Sequence, residues 1–170
     1  KAHHQSKTTQ KRPFKAGHYQ AQLAQRMFDP YKLPLKLSEP SVCPDCGAVY
    51  HLGRWQWLLR PDAAEEVLCS ACHRIADHFP AGFLHISTEL TPNQRDQLLH
   101  LIKHHETKAS TEHPMERIME IDEKPGHILI TTTSVHLARD LGMAIEDAFH
   151  GSLQLKYSKD ETLLRAYWKR

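Results

Sequence analysis

The sequence predicts an α+β fold in two parts, a small cysteine-bounded module followed by a domain of helices and antiparallel strands, behind a basic arm. Three observations carry this. All four cysteines of the 170 residues fall into two Cys-x-x-Cys pairs between residues 43 and 72. Beyond them, apolar residues recur first at helical and then at alternating spacing in the order α-β-β-α-β-β. The first 40 residues hold eight lysines and arginines against Asp29 and Glu39, an excess of six positive charges in a chain whose net charge is only +2. The remainder is therefore mildly acidic.

Residues 1–17 (KAHHQSKTTQKRPFKAG) have too little apolar content to offset the entropy of ordering, so a disordered arm is expected there. Lys7, Lys11, Arg12 and Lys15, with Arg26 further on, are its candidate phosphate contacts. Tyr19, Leu23 and Met27 fall four apart and predict a short helix over 18–28. Asp29-Pro30, Pro34 and Pro40 then break regular structure, giving an extended linker up to residue 40. The expected organisation is thus an arm and linker over 1–40, a cysteine module over 41–82 and an α+β domain over 83–170.

In the α+β domain Thr91-Pro92 reads as an N-cap and first-turn proline, with Leu98, Leu99, Leu101 and Ile102 lining a helix that ends near His105. Residues 107–114 (TKASTEHP) read as a polar connector. Strands over 115–122 and 127–133 flank a turn at Glu123-Lys124-Pro125-Gly126. Ser134 caps a helix in which Ala138, Leu141, Ala144, Ile145, Ala148 and Phe149 recur at three- and four-residue spacing, and Gly151 closes it. Two alternating strands finish the chain, one carrying Leu153, Leu155 and Tyr157 and one carrying Leu164, Ala166 and Trp168. A four-stranded antiparallel sheet with both helices on one face satisfies this order. The opposite face would then present Gln154, Lys156, Arg165, Tyr167 and Lys169, either as an ordinary wet surface or as a stacking sheet for single-stranded RNA, with Lys156, Arg165 and Tyr167 as its contacts.

Cys43, Cys46, Cys69 and Cys72 have the spacing of two metal knuckles, and two knuckles complete a tetrahedral four-sulfur site for one structural Zn2+. Gly47 supplies the backbone freedom that a knuckle turn needs. The second knuckle runs into His73-Arg74-Ile75-Ala76, a short helical pattern, so the module is a zinc ribbon or a treble clef. Redox dithiols and disulfides are the competing readings; the first suits a single motif in a larger α/β domain, the second an oxidising compartment. Four thiolates saturate zinc and leave no position for an activated water, so the metal is expected to be structural. Between the knuckles, Trp55 and Trp57 alternate with Arg54 and Gln56. The tryptophans either cover the metal site or pack on the next domain, or else His51, Arg54 and an exposed ring contact RNA.

No phosphate-binding loop, zinc-protease helix or nucleophile elbow is present in the sequence, and a non-enzymatic protein without a small-molecule substrate is expected. No apolar run reaches the roughly 18 residues of a membrane span, and the first residues lack a signal-peptide core, which predicts a cytoplasmic protein without membrane contact.

The Cys43-Pro-Asp-Cys46-Gly47 and Leu68-Cys69-Ser70-Ala71-Cys72 motifs, with the run His127 to Trp168 containing Ile128-Leu129-Ile130-Thr131 and Ala138-Arg139, resemble a known group. The chain is similar to bacterial zinc-ribbon proteins that resemble the N-terminal half of the archaeal and eukaryotic large-ribosomal-subunit export adaptor family. The resemblance spans roughly Val42 to the C-terminus. It implies ribosome association, on the large subunit and through ribosomal RNA, in ribosome hibernation or large-subunit maturation and so in translation regulation; it brings no catalytic residues. Only two knuckles stand where the adaptor family carries more, and nuclear export is not implied. The alternative is a transcription-associated or protein-interaction zinc-ribbon adaptor.

Overall fold

The computed structural model describes Tyr31 and residues 37–170. The expected arm, the helix over 18–28 and the contacts Lys7, Lys11, Arg12, Lys15 and Arg26 lie outside the described residues.

The cysteine module is built on a four-stranded sheet of very short strands, β1 (Ser41–Val42), β2 (Val49–His51), β3 (Arg54–Gln56) and β4 (Glu65–Glu66), in the order β3-β2-β1-β4. β1 pairs antiparallel with β2 and parallel with β4. The β2–β3 hairpin turns through Leu52 and Gly53, both at positive φ (52° and 74°), the backbone that a two-residue primed turn requires. Leucine is a poor residue for that conformation, and the Glu39 carboxylate offsets this by accepting from the amides of Leu52 (2.8 Å) and Gly53 (3.1 Å). After the second knuckle comes helix α1 (Ser70–Ala76). Knuckle, hairpin and helix thus follow one another in the module.

The second domain is a five-stranded mixed sheet, where four antiparallel strands were expected. Its strands are β5 (Gly82–Ser87), β6 (Ile118–Lys124), β7 (His127–Thr132), β8 (Ser152–Tyr157) and β9 (Leu164–Lys169), in the order β6-β7-β5-β9-β8. The unexpected strand is β5, and it is central: it pairs antiparallel with β7 and parallel with β9. Its alternation, Phe83, His85 and Ser87 against Leu84 and Ile86, is the ordinary signal of a half-buried strand. Gly82 begins it because a Cβ there would collide with Thr132 Oγ1 and Ala138 Cβ.

Helix α2 (Pro92–Glu112) links β5 to β6, and helix α3 (Val135–Phe149) links β7 to β8. The N-terminus of α2 is a capping box between Thr91 and Gln94. The helix runs seven residues past its expected end, so 107–112 are helical and not a connector. Thr107 and Thr111 tuck their hydroxyls onto the carbonyls of Lys103 (2.9 Å) and Thr107 (2.7 Å), and the helix stops only where Pro114 forbids it. Ser134 caps α3 through the His136 amide (3.1 Å). Leu98 and Ile102 of α2 and Leu137, Leu141 and Ile145 of α3 pack on one face of the sheet against Leu84, Ile86, Ile128, Ile130, Ala166 and Trp168. The buried Trp168 indole N–H donates to His150 O (2.8 Å). Both helices lie on that face, and among the described residues the opposite face of the sheet carries no helix.

Candidate metal centre and nucleic-acid interface

The first knuckle folds because Gly47, at φ 77°, donates its amide to Cys43 O (2.9 Å) while the Cys43 amide donates to Ala48 O (2.8 Å). The second is a helix start: Cys69 is the N-cap of α1 and its sulfur accepts from the Cys72 amide at 3.4 Å. The four Sγ atoms converge to within 4.8 Å of one another. Cys46 and Cys69 stand 3.8 Å apart. A tetrahedron of sulfurs about 2.3 Å from a central Zn2+ has edges of about 3.8 Å, so the four residues fit one ion. All four are free thiols.

Burial dominates the electrostatics of the site. It pushes the Cys69 thiol strongly up, with the neighbouring sulfurs adding to the effect, and raises Cys72 to about 11 against the pull of the Arg117 guanidinium. At Cys43 burial also acts upward, but the amide donors of Cys69, Cys46 and Asp45 outweigh it and bring the thiol to about 7. Arg117 is the residue that the sequence does not reveal. From the chain just before β6 it places Nη1 3.4 Å from Cys72 Sγ and Nη2 3.3 Å from Cys69 Sγ and 3.7 Å from Cys46 Sγ. Its position 45 residues beyond Cys72 follows no local motif, and only the fold brings it there.

The tryptophans divide the structural work. Trp55 packs against the cysteine cluster beside Met115. Trp57 donates its indole N–H to Ser110 O of α2 at 2.6 Å, bridging module and domain. His51 and Arg54 face each other across β2 and β3. Both are exposed, with His51 Nδ1 3.9 Å from the Glu39 carboxylate, and neither lies on the second sheet. Arg54 instead lines a cleft of about 600 Å³ between the two parts, with Tyr50, Trp55, Trp57, Glu116 and His136 among its walls. Burial raises the Glu116 carboxyl there.

The remaining candidates meet on the open sheet face. Register puts Thr131, Phe83, Arg165 and Lys156 in one row across β7, β5, β9 and β8, and Leu129, His85, Tyr167 and Gln154 in the next. His85 and Tyr167 are stacked, with ring centroids 4.8 Å apart and planes 9° apart. Lys156 Nζ lies 5.2 Å from the centre of the Tyr167 ring, and Arg165 Cζ lies 5.2 Å from that of Phe83. Lys169 follows in the third row beside Ser87. Among the described residues, none of these three cations lies within ion-pairing distance of a carboxylate. The acidic side chains of this face, Glu120 and Asp122, sit on the far edge strand β6 opposite Thr131 and Leu129. The face is therefore aromatic in the middle and cationic toward β8. Phe83 and His85 were not expected here because β5 was not, although its alternation would have placed them. No family model, curated protein or solved structure matches the chain.

Proposed function

We propose that the chain is a non-catalytic, zinc-stapled RNA-binding protein of the cytoplasm that docks on the ribosome. The observation that carries this reading is the open face of the second sheet. Phe83, His85 and Tyr167 lie side by side there with Lys156, Arg165 and Lys169, cations that no carboxylate among the described residues engages. Rings on a sheet offer stacking to unstacked bases, and lysines and arginines at its margin hold the phosphates between them. The metal is Zn2+ on the chemistry of the donor set: four sulfurs at tetrahedral spacing saturate it and leave it structural. Among the described residues no helix is long and apolar enough to cross a membrane.

The ribosome as partner rests on the likeness of the two knuckles and the C-terminal run to the large-subunit export adaptor family. It implies ribosomal RNA as the ligand and hibernation or large-subunit maturation as the setting. One observation favours the rival reading, a protein-interaction adaptor. Leu52, Leu58 and Leu59 are 76%, 45% and 95% exposed on and after the metal-module hairpin, a surface suited to an apolar partner.

Sedimentation of a tagged copy through sucrose gradients, from growing and from starved cells, tests the proposal. The expected result is migration with ribosomal particles, reversed by ribonuclease. Free large subunits would point to maturation, and whole ribosomes in starvation to hibernation. A protein that stays at the top of both gradients at low salt refutes ribosome docking. Release from ribosomes by a Leu58→Ser, Leu59→Ser variant but not by sheet-face variants would favour the adaptor reading.

A further inference from the structure

We propose that Arg117 is an outer-sphere ligand of the metal centre, through which the sheet domain shields the thiolates. The inference rests on the metal reading of the four cysteines. A divalent cation with four thiolates carries a net charge of −2, and where three of the four cysteines are buried that charge needs a partner. The guanidinium is the only cation shown in contact with the sulfurs among the described residues, and its fork reaches three of the four.

The residue is held for this task. Its Nε donates to Pro114 O (3.0 Å) and its amide to Thr133 Oγ1 (2.9 Å), while the Thr133 hydroxyl donates to Met115 O (2.6 Å). The same stretch contributes Met115, whose sulfur accepts from Ser70 Oγ at the start of α1 (3.3 Å). The segment between α2 and β6 therefore faces the metal site with a fixed donor fork. Guanidinium N–H groups that donate to metal-bound thiolates draw off electron density, so the sulfurs become poorer nucleophiles, while the positive charge offsets that of the tetrathiolate and favours the loaded site.

The test compares the full chain with Arg117→Met and Arg117→Lys, each loaded with Zn2+ or with Co2+ as the spectroscopic probe. Three quantities are read: zinc transfer to a colorimetric chelator, alkylation of the loaded protein by iodoacetamide, and the sulfur-to-cobalt charge-transfer band. Loss of an outer-sphere partner typically lowers metal affinity by roughly 10- to 100-fold. Arg117→Met is expected to lose affinity in that range, alkylate faster and shift the band, with Arg117→Lys intermediate because it keeps the charge but not the fork. Unchanged affinity, alkylation rate and band in both variants would overturn the inference while leaving the metal site intact. A wild-type chain that takes up neither ion would overturn both. If Arg117→Met does not fold, Arg117→Lys decides: wild-type values for all three quantities refute the role of the fork.

Discussion

Replacing Lys156, Arg165 and Lys169 together by glutamine removes three cations from adjacent strands β8 and β9 while keeping an unbranched polar side chain at each position. All three are exposed, so their conversion leaves the apolar core untouched. If each neutralises one phosphate, theory for single strands assigns a slope of about −0.7 in log K against log salt per contact, so the triple variant should lose about 2 units of slope. Between 50 and 200 mM KCl, the wild type should then lose about 20-fold more affinity than the variant does. The assay is fluorescence anisotropy of a labelled single-stranded RNA at four or five salt concentrations. Circular dichroism should show the same fold in both proteins. A variant that binds more weakly but with an unchanged slope would mean that these residues do not meet phosphates, and the reasoning would fail. Unchanged affinity and slope would remove the face from the interface altogether.

Cys69→Ser should abolish stoichiometric metal binding, since Cys69 is both a buried thiol and the N-cap of α1; metal analysis of the purified protein, expected at one zinc per wild-type chain, reads this directly. Gly82→Ala should destabilise the sheet domain by about 1–3 kcal/mol, because the added methyl overlaps Thr132 and Ala138 at the start of the central strand; urea unfolding measures it, and wild-type stability would contradict the packing described. His85 should make the fold acid-sensitive. Burial, then the charges of His127 and Arg165, hold its folded pKa below the ordinary value of 6.5. As the pH falls below 6.5 the unfolded chain takes up the proton first, so stability drops until the folded pKa is passed. His85→Phe keeps the stack on Tyr167 and should flatten that loss between pH 7 and pH 5, and an equally steep loss in the variant would place the titration elsewhere.

The parts of the fold that read clearly from sequence are those with a local cause. Cys-x-x-Cys pairs fix their own geometry through knuckle turns and a helix cap, so the cysteine cluster was legible from spacing alone. Ser134, the apolar stripe of α3 and the alternation of β8 and β9 likewise point one way. What did not read was β5. A six-residue strand wedged between the metal module and a long helix resembles a linker, and its central place depends on pairing with β7 and β9, up to some 80 residues away. Missing it hid Phe83 and His85, two of the three rings proposed for the open-face interface. The end of α2 was missed for the opposite reason: Thr107, Ser110 and Thr111 look like connector residues until their hydroxyls bond back to the helix. Arg117 has no signal of its own, since its role exists only where β6 meets the cysteines.

On the proposed reading, single-stranded RNA lies on the open face of the five-stranded sheet. Photocrosslinking of a 4-thiouridine RNA to the full chain, followed by mass spectrometry of the adducts, tests it most directly. Adducts on peptides containing Phe83, His85 or Tyr167, suppressed by excess unlabelled RNA, are predicted. Adducts confined to the cysteine-module hairpin around His51 and Arg54, with the sheet peptides unmodified while binding persists, would contradict it.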